Sequence, residues 1–450
     1  MNRLTPSGAR ISNRTLRLDA AGVTDGRGVS STPGTLIIEN DDASTRVLFA
    51  GHPGDADRHP ASSGAVRISL PSKVLTPAFV NAHTHLDLTH VGPRPHSPAD
   101  GFVTWIRMVI RERATSPEAI RGSVRAGIAK SLAGGVAGVG DICGGGSLVP
   151  LEEHRGEAVG GVCYREVFGI GKDDAGGATR AGDIVARATS ERSRSAMREG
   201  LSPHAPYSAG RGAFGKSRGE GLYVCTHVAE SIEERELIRE GTGPFRAFLE
   251  SFGVWDDSLL EHFGRGAHPV DLALDMIEPG GGARWMFAHV NDCEDAHLSR
   301  LAQREIAVAY CPRGHVYFGH TPRLGAHRWR EMVEAGVNVC LGTDSVINLP
   351  PGAGSDRISP LDEARHLWSA GCREAALLLR MITSNSARAL GLSSSHDFEG
   401  GAVGGIIGVE VGEMGRDERA EEAVIGRGGG VSWVSRGAWL DPRLVETGSP

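Results

Sequence analysis

Two histidines one residue apart, His83 and His85 in Asn81-Ala82-His83-Thr84-His85, close the apolar run AFVNAH at 78–83. Alternate residues of a strand face the same side, so both imidazoles can reach one point and share a cation. His227 closes LYVCTH at 222–227 and can add a third nitrogen. Glu230, three positions on, starts a loop from which it can reach a substrate without competing for the cation. It also precedes SIEERELIRE, where an acid at a helix start is favoured by the dipole, a role compatible with catalysis. His289 closes RWMFAH, and Asp344 follows NVCLGT. A carboxylate at such a strand end is costly to bury unless it is paired or ligated. The chemistry these residue types support together is hydrolysis by water activated on one divalent ion.

Two further residues are candidates for substrate contact. His315, in CPRGHVYFGH, belongs to a loop expected to lie over the site, where it can touch substrate or serve as a brace. Trp105 can line a pocket or, like many aromatics on a helix face, belong to the core.

These side chains need a scaffold that gathers strand ends. Short apolar runs at 78–83, 136–142, 161–168, 200–204, 222–227, 284–289, 306–311 and 338–343 alternate with helix-like segments at 102–113, 117–132, 179–198, 231–240, 294–304, 325–335 and 360–391. Eight strands alternating with helices predict an α/β fold, a (β/α)8 TIM-type barrel whose sites lie at the C-terminal strand ends. The stretch SAGRGAFGKSRGEG between the fourth and fifth strands is too short and glycine-rich to promise a helix, so one unit is expected to be degenerate. It contains the letters of a phosphate loop, Gly210 to Ser217, but leaves no room for the helix that must follow one, which makes it a chance match.

The ends read differently. TLII, RVLF, AVRISL, GVEV and VSWV are short β-type runs among Gly, Ser and charge, so residues 1–75 and 393–450 are expected to pair into a small accessory β domain flanking a barrel domain at 76–392. Whether 51–64 and 412–430 are ordered is left open.

Of the 450 residues 40% are hydrophobic and 23% charged, the balance of a soluble globular protein. A net charge of -7 offers no basic face for nucleic acid. No run is apolar enough for a membrane span or leader, and the seven cysteines lack any C-x-x-C pair, so they read as buried thiols in a cytoplasmic setting.

The ordered set NAHTHLDL, GLSPHAPYS, THVAES, AHVN, CPRGH and GTDS resembles the amidohydrolase superfamily over roughly 75–392, in particular its cytosine deaminase-like and chlorohydrolase-like branch. Members related to S-adenosylhomocysteine, methylthioadenosine and aminofutalosine deaminases carry similar signatures. The resemblance implies a distorted barrel with one Zn or Fe ion on His83, His85, His227 and Asp344. It also implies Glu230 as proton shuttle, His289 as the partner of the hydrolytic water and His204 as a substrate contact. The absence of a bridging lysine on the fourth strand implies one metal. The expected activity is deamination of an aminated heterocycle of adenine-type, nucleoside-like character, with possible homo-oligomerisation. Triazine-type dechlorination and an inactive metal-binding barrel are the alternatives. Departures from the family pattern are GGVAGVGD in place of a Gly-Thr-Thr stretch, the short fourth unit, and a C-terminal segment without the usual lysine turn.

Overall fold

The computed structural model describes residues 14–40, 45–155, 159–190, 196–349, 356–392, 396–399, 402–415, 417–436 and 439–440. They divide into two compact units. One comprises Met1–Val80, Ser131–Gly138 and Ser359–Pro450; the other comprises Asn81–Lys130 and Val139–Ile358.

An eight-stranded sheet runs in sequence order through Phe79–Thr84, Val136–Cys143, Gly160–Val167, Met197–Pro203, Tyr223–Val228, Arg284–His289, Ala307–Tyr310 and Val339–Leu341. These are called the first to eighth barrel strands. Ladders from the third strand to the eighth are parallel. Every residue of the first, second and fifth strands is buried, which is why parallel strands read as near-continuous apolar runs. A parallel bridge between Thr84 and Asp344 nearly closes the sheet into a barrel. The amide of Asp344 donates to the His83 carbonyl at 3.1 Å. Beside it, Asn81 Nδ2 donates to Thr343 Oγ1 at 2.8 Å while its Oδ1 accepts from the Thr343 amide at 3.0 Å. The close approach needs Gly342, where a Cβ would lie 2.7 Å from His83 Cβ.

Helices differ from expectation in several places, among them the expected 325–335 helix, which is Trp329–Glu334. The expected 179–198 helix is Asp174–Ser190, and the fourth strand already begins at Met197; residues 191–195 lie outside the described residues. The stretch thought too glycine-rich does form a six-residue helix, Arg211–Lys216. That helix runs through the phosphate-loop letters instead of following them, and Asp174 Oδ1 accepts from the Gly212 amide, putting a carboxylate where a phosphate would have to sit. The 360–391 segment is three helices, Pro360–Ser369, Ala375–Met381 and Ser384–Ala389.

The other unit carries a second curled sheet with strands from both ends of the chain. Arg14–Thr24 pairs parallel with Val66–Pro77, which pairs antiparallel with Ile406–Glu410. Leu16, Leu18, Ile38, Leu75, Ile406 and Val434 form its core. Arg14–Thr24 was absent from the sequence reading although Leu16, Leu18 and Ala20 alternate as a half-buried strand requires. Within the two segments left open lie a short helix, Pro53–Ala56, and another, Ala420–Gly426. All seven cysteines are buried and none is in a disulfide, and among the described residues no helix is long and apolar enough to cross a membrane.

The Asn81 clamp gives a direct test. Replacing it with Ala strands the buried Thr343 amide, and urea unfolding should show a loss of about 1–3 kcal/mol. A change below about 0.5 kcal/mol would mean that closure is held elsewhere.

Candidate active site

The C-terminal ends of four strands deliver the candidate side chains to one point. His83 Nε2 and His85 Nε2 lie 3.8 and 3.4 Å from Asp344 Oδ1. The His227 ring centroid lies 5.0 Å from that of His83 and 5.5 Å from that of His85. Ligand atoms of His83, His227 and His289 fall within 4.8 Å of one another, as do those of His83, His85 and Asp344, and those of Glu230, His289 and Asp344. His289 Nε2 sits 3.3 Å from Glu230 Oε1. Residues separated by more than 250 positions in the chain thus share one small volume.

The backbone bends to achieve this. Ala229, His289, Val290 and Asp344 have φ of 51°, 71°, 51° and 53°, conformations that cost L-residues about 1–3 kcal/mol each and collect at functional sites. Local hydrogen bonds hold them: the amide of Val290 donates to Val228 O, and that of Asp292 to Ala229 O. The helix Ile232–Glu240 starts at Ser231, whose side chain accepts from the Glu234 amide, and stops at Gly241 in the left-handed conformation. Glu230 is fixed just before it, its amide donating to Glu234 Oε2 and its carbonyl accepting from Asn291 Nδ2.

A divalent cation fits these residues. His83 Nε2 and His289 Nε2 are buried with no hydrogen-bond partner, an expensive state for polar nitrogens. His227 Nδ1 bonds the His204 carbonyl at 2.9 Å; a carbonyl can only accept, so Nδ1 carries the proton and Nε2 keeps its lone pair for a ligand. Burial drives His83, His85 and His289 well below the ordinary histidine value and His227 down to about 4, so the rings are neutral, as ligands must be. Three imidazoles and a carboxylate are a donor set suited to zinc or a similar ion. By distance alone His289 could also serve as a ligand.

Burial acts oppositely on the acids. Glu230 is pushed well above the ordinary carboxylate range by burial, and further by the Asp344 and Glu234 carboxylates. Burial thus favours its protonated form where it borders the cavity.

That cavity is about 450 Å³ and is bordered by His85, His227, Glu230, Asp344, His204 and Trp105, among others. His204 packs against Phe168 with the rings tilted and their centroids 4.7 Å apart, and Ser208 bonds its Nδ1. His315 does not border the cavity: Asn291 Oδ1 and Thr321 Oγ1 meet its two ring nitrogens, so the fold uses it as a brace behind Glu230, not as the substrate contact its loop position suggested.

The sequence reading also passed over residues that shape the site. Asp141 is fully buried and accepts from the Leu86 amide at 2.8 Å and from His154 Nε2 at 2.7 Å, pinning the peptide that follows His85. Asn348 Nδ2 bonds Asp344 Oδ2. Glu166 and Arg113 line the cavity. An acid near the end of an apolar strand, the signal that marked Asp344, would have found Asp141 and Glu166.

Comparison with known proteins points the same way. A family model described as the amidohydrolase family matches residues 74–396. The aminodeoxyfutalosine deaminase of Deinococcus radiodurans is 30% identical over 342 residues, covering 71% of this chain and 74% of that protein. The crystal structure of Helicobacter pylori aminofutalosine deaminase matches with a TM-score of 0.68 at 19% identity, covering 91% of this chain and 95% of its own. A zinc-bound adenosine deaminase from Xanthomonas campestris matches with a TM-score of 0.67 at 17% identity, covering 97% of each chain. At those identities the two structures speak to the fold alone.

If Asp344 is a ligand, freeing its second oxygen should loosen the ion. Asn348→Ala is expected to weaken zinc affinity about 10–100-fold in a competitive chelator titration, without unfolding the protein. Unaltered affinity would remove Asp344 from the ligand set.

Proposed function

Because this chain belongs to the amidohydrolase family, a metal-dependent family, we propose that it is an aminohydrolase that replaces the amino group of an adenine-type, nucleoside-like ring with oxygen and releases ammonia. The observation that carries the reading is the convergence of Glu230 on His289 and Asp344 at the wall of an apolar cavity, where burial raises the Glu230 carboxyl above the ordinary range. A metal centre needed only for structure has no use for such an acid.

His83, His85, His227 and Asp344 would hold one divalent ion, and zinc is favoured by the nitrogen and oxygen donor set. When bound, such an ion lowers the pKa of a water from 15.7 towards about 7. His289 orients the attacking water, and Asp344 accepts the proton it gives up. Glu230 donates its proton to the ring nitrogen next to the reacting carbon, so that the negative charge arriving at the carbon is neutralised on the ring. The proton taken by Asp344 then passes to the amino group, the hydroxyl proton of the intermediate returns to Glu230 as the carbon–nitrogen bond breaks, and ammonia leaves an oxo-heterocycle behind. His204 and Trp105, both on the cavity wall, are proposed to hold the ring.

Zinc-loaded protein should release ammonia from at least one member of an aminopurine, aminopyrimidine and aminotriazine panel. Glu230→Gln should keep one equivalent of zinc yet lower turnover by about 10²–10⁴-fold. An unimpaired Glu230→Gln variant, or silence across the panel at full zinc occupancy, would defeat the proposal. Removal of the ion with a chelator should abolish release, and re-addition of zinc should restore it.

A further inference from the structure

A carboxylate and an imidazole on the cavity wall face one another as two acceptors. Glu166 projects from the third barrel strand and is 5% exposed. Among the described residues no donor hydrogen bonds to its side chain, and its Oε1 lies 3.8 Å from His204 Nε2, outside hydrogen-bond reach. The tautomer of His204 follows from its other nitrogen. The Ser208 hydroxyl gives its one proton to the Ala205 carbonyl at 3.4 Å, so His204 Nδ1 donates to Ser208 Oγ and Nε2 keeps a lone pair.

Neighbouring charge leaves the pair as it is. Arg113 also borders the cavity, but its guanidinium donates to Asp87 Oδ2 at 2.7 Å, and those two charges offset each other. Among the described residues no Lys or Arg forms an ion pair with Glu166, a costly state for a buried carboxylate.

A cation answers both acceptors at once. Zinc bonds of about 2.0–2.2 Å to a carboxylate oxygen and an imidazole nitrogen span a gap of this size, with the ion slightly off the line between them. The bond from His204 Nδ1 to Ser208 fixes the ring in the way that outer partners fix metal-ligating histidines. One nitrogen and one oxygen donor suit zinc or another first-row ion better than magnesium or calcium. His227 has a ring nitrogen within 4.8 Å of both groups, but its Nδ1 proton is held by the His204 carbonyl and its Nε2 is committed to the four-residue centre proposed above. The pair therefore stands beside that centre and shares no ligand with it. The cavity of about 450 Å³ leaves room for water to complete the coordination shell.

We propose that Glu166 and His204 form a second, weaker zinc site inside the cavity, and that zinc bound there inhibits by excluding the substrate. The binding half of this proposal assumes no reaction; the inhibition half rests on the aminohydrolase reading. One ion then activates the protein and the next one shuts it.

The test starts from protein that holds one zinc per chain after dialysis. Further zinc is titrated calorimetrically, and bound metal is counted by elemental analysis. A second equivalent should bind, more weakly than the first because two protein ligands replace four. Glu166→Gln and His204→Gln should each weaken that second equivalent at least about 10-fold while leaving the first within about 2-fold. The backbone carbonyl that holds His227 survives the His204 substitution. For any ring of the panel that is turned over, KM should rise in proportion to added zinc, with kcat within about 2-fold. Failure to bind a second equivalent, a second equivalent that both variants retain, or added zinc that lowers kcat or leaves KM unchanged overturns the proposal. Binding is read without turnover, so a silent panel sinks the aminohydrolase reading while the titration still decides the zinc site.

Discussion

The site depends on the seam where the first and eighth barrel strands meet. Neither strand alone can hold a cation: one supplies two imidazoles and the other a carboxylate. The Asp344 amide on the His83 carbonyl, with the Asn81–Thr343 clamp beside it, sets the spacing between them. Only a glycine at 342 lets the backbones approach this closely. Were the seam to open by a residue in register, every side chain along it would turn to the opposite face.

From that seam a single physical cause, removal of water, prepares each group for its role. Desolvation disfavours charge whatever its sign, so it lowers the histidines and raises the glutamate. The same burial favours neutral imidazoles, the form a ligand needs, and the protonated form of Glu230. Against this, the positive φ angles at Ala229, His289, Val290 and Asp344 are a local cost that the surrounding hydrogen bonds sustain.

Much of the scaffold was visible in the residues. All eight barrel strands fall on apolar runs recognised from sequence, because strands buried on both faces have no polar side to interrupt them. Legibility failed where local composition and tertiary context disagree. Glycine in GRGAFGKS argues against a helix by propensity, yet six residues coil there, with Ala213 and Phe214 buried beneath. The strand Arg14–Thr24 was overlooked because its charged positions mask an alternation that only a partner strand makes obvious.

The candidate site divides in the same way. Residue type and strand-end position were enough to nominate His83, His85, His227, Glu230, His289 and Asp344, since buried imidazoles and carboxylates at such places need a reason to exist. What the linear chain could not specify was company. His315 could be a substrate contact or a brace until its two nitrogens were found occupied, and Glu166 drew no attention until it proved to border the cavity. Which groups are satisfied and which are left wanting is a property of neighbours brought in from far along the chain. For this protein, then, the sequence by itself determined the barrel and nominated the candidate ligands it presents. Only the tertiary structure decided which polar atoms remain open to a cation or a substrate, because hydrogen-bond satisfaction is settled across space and not along the backbone.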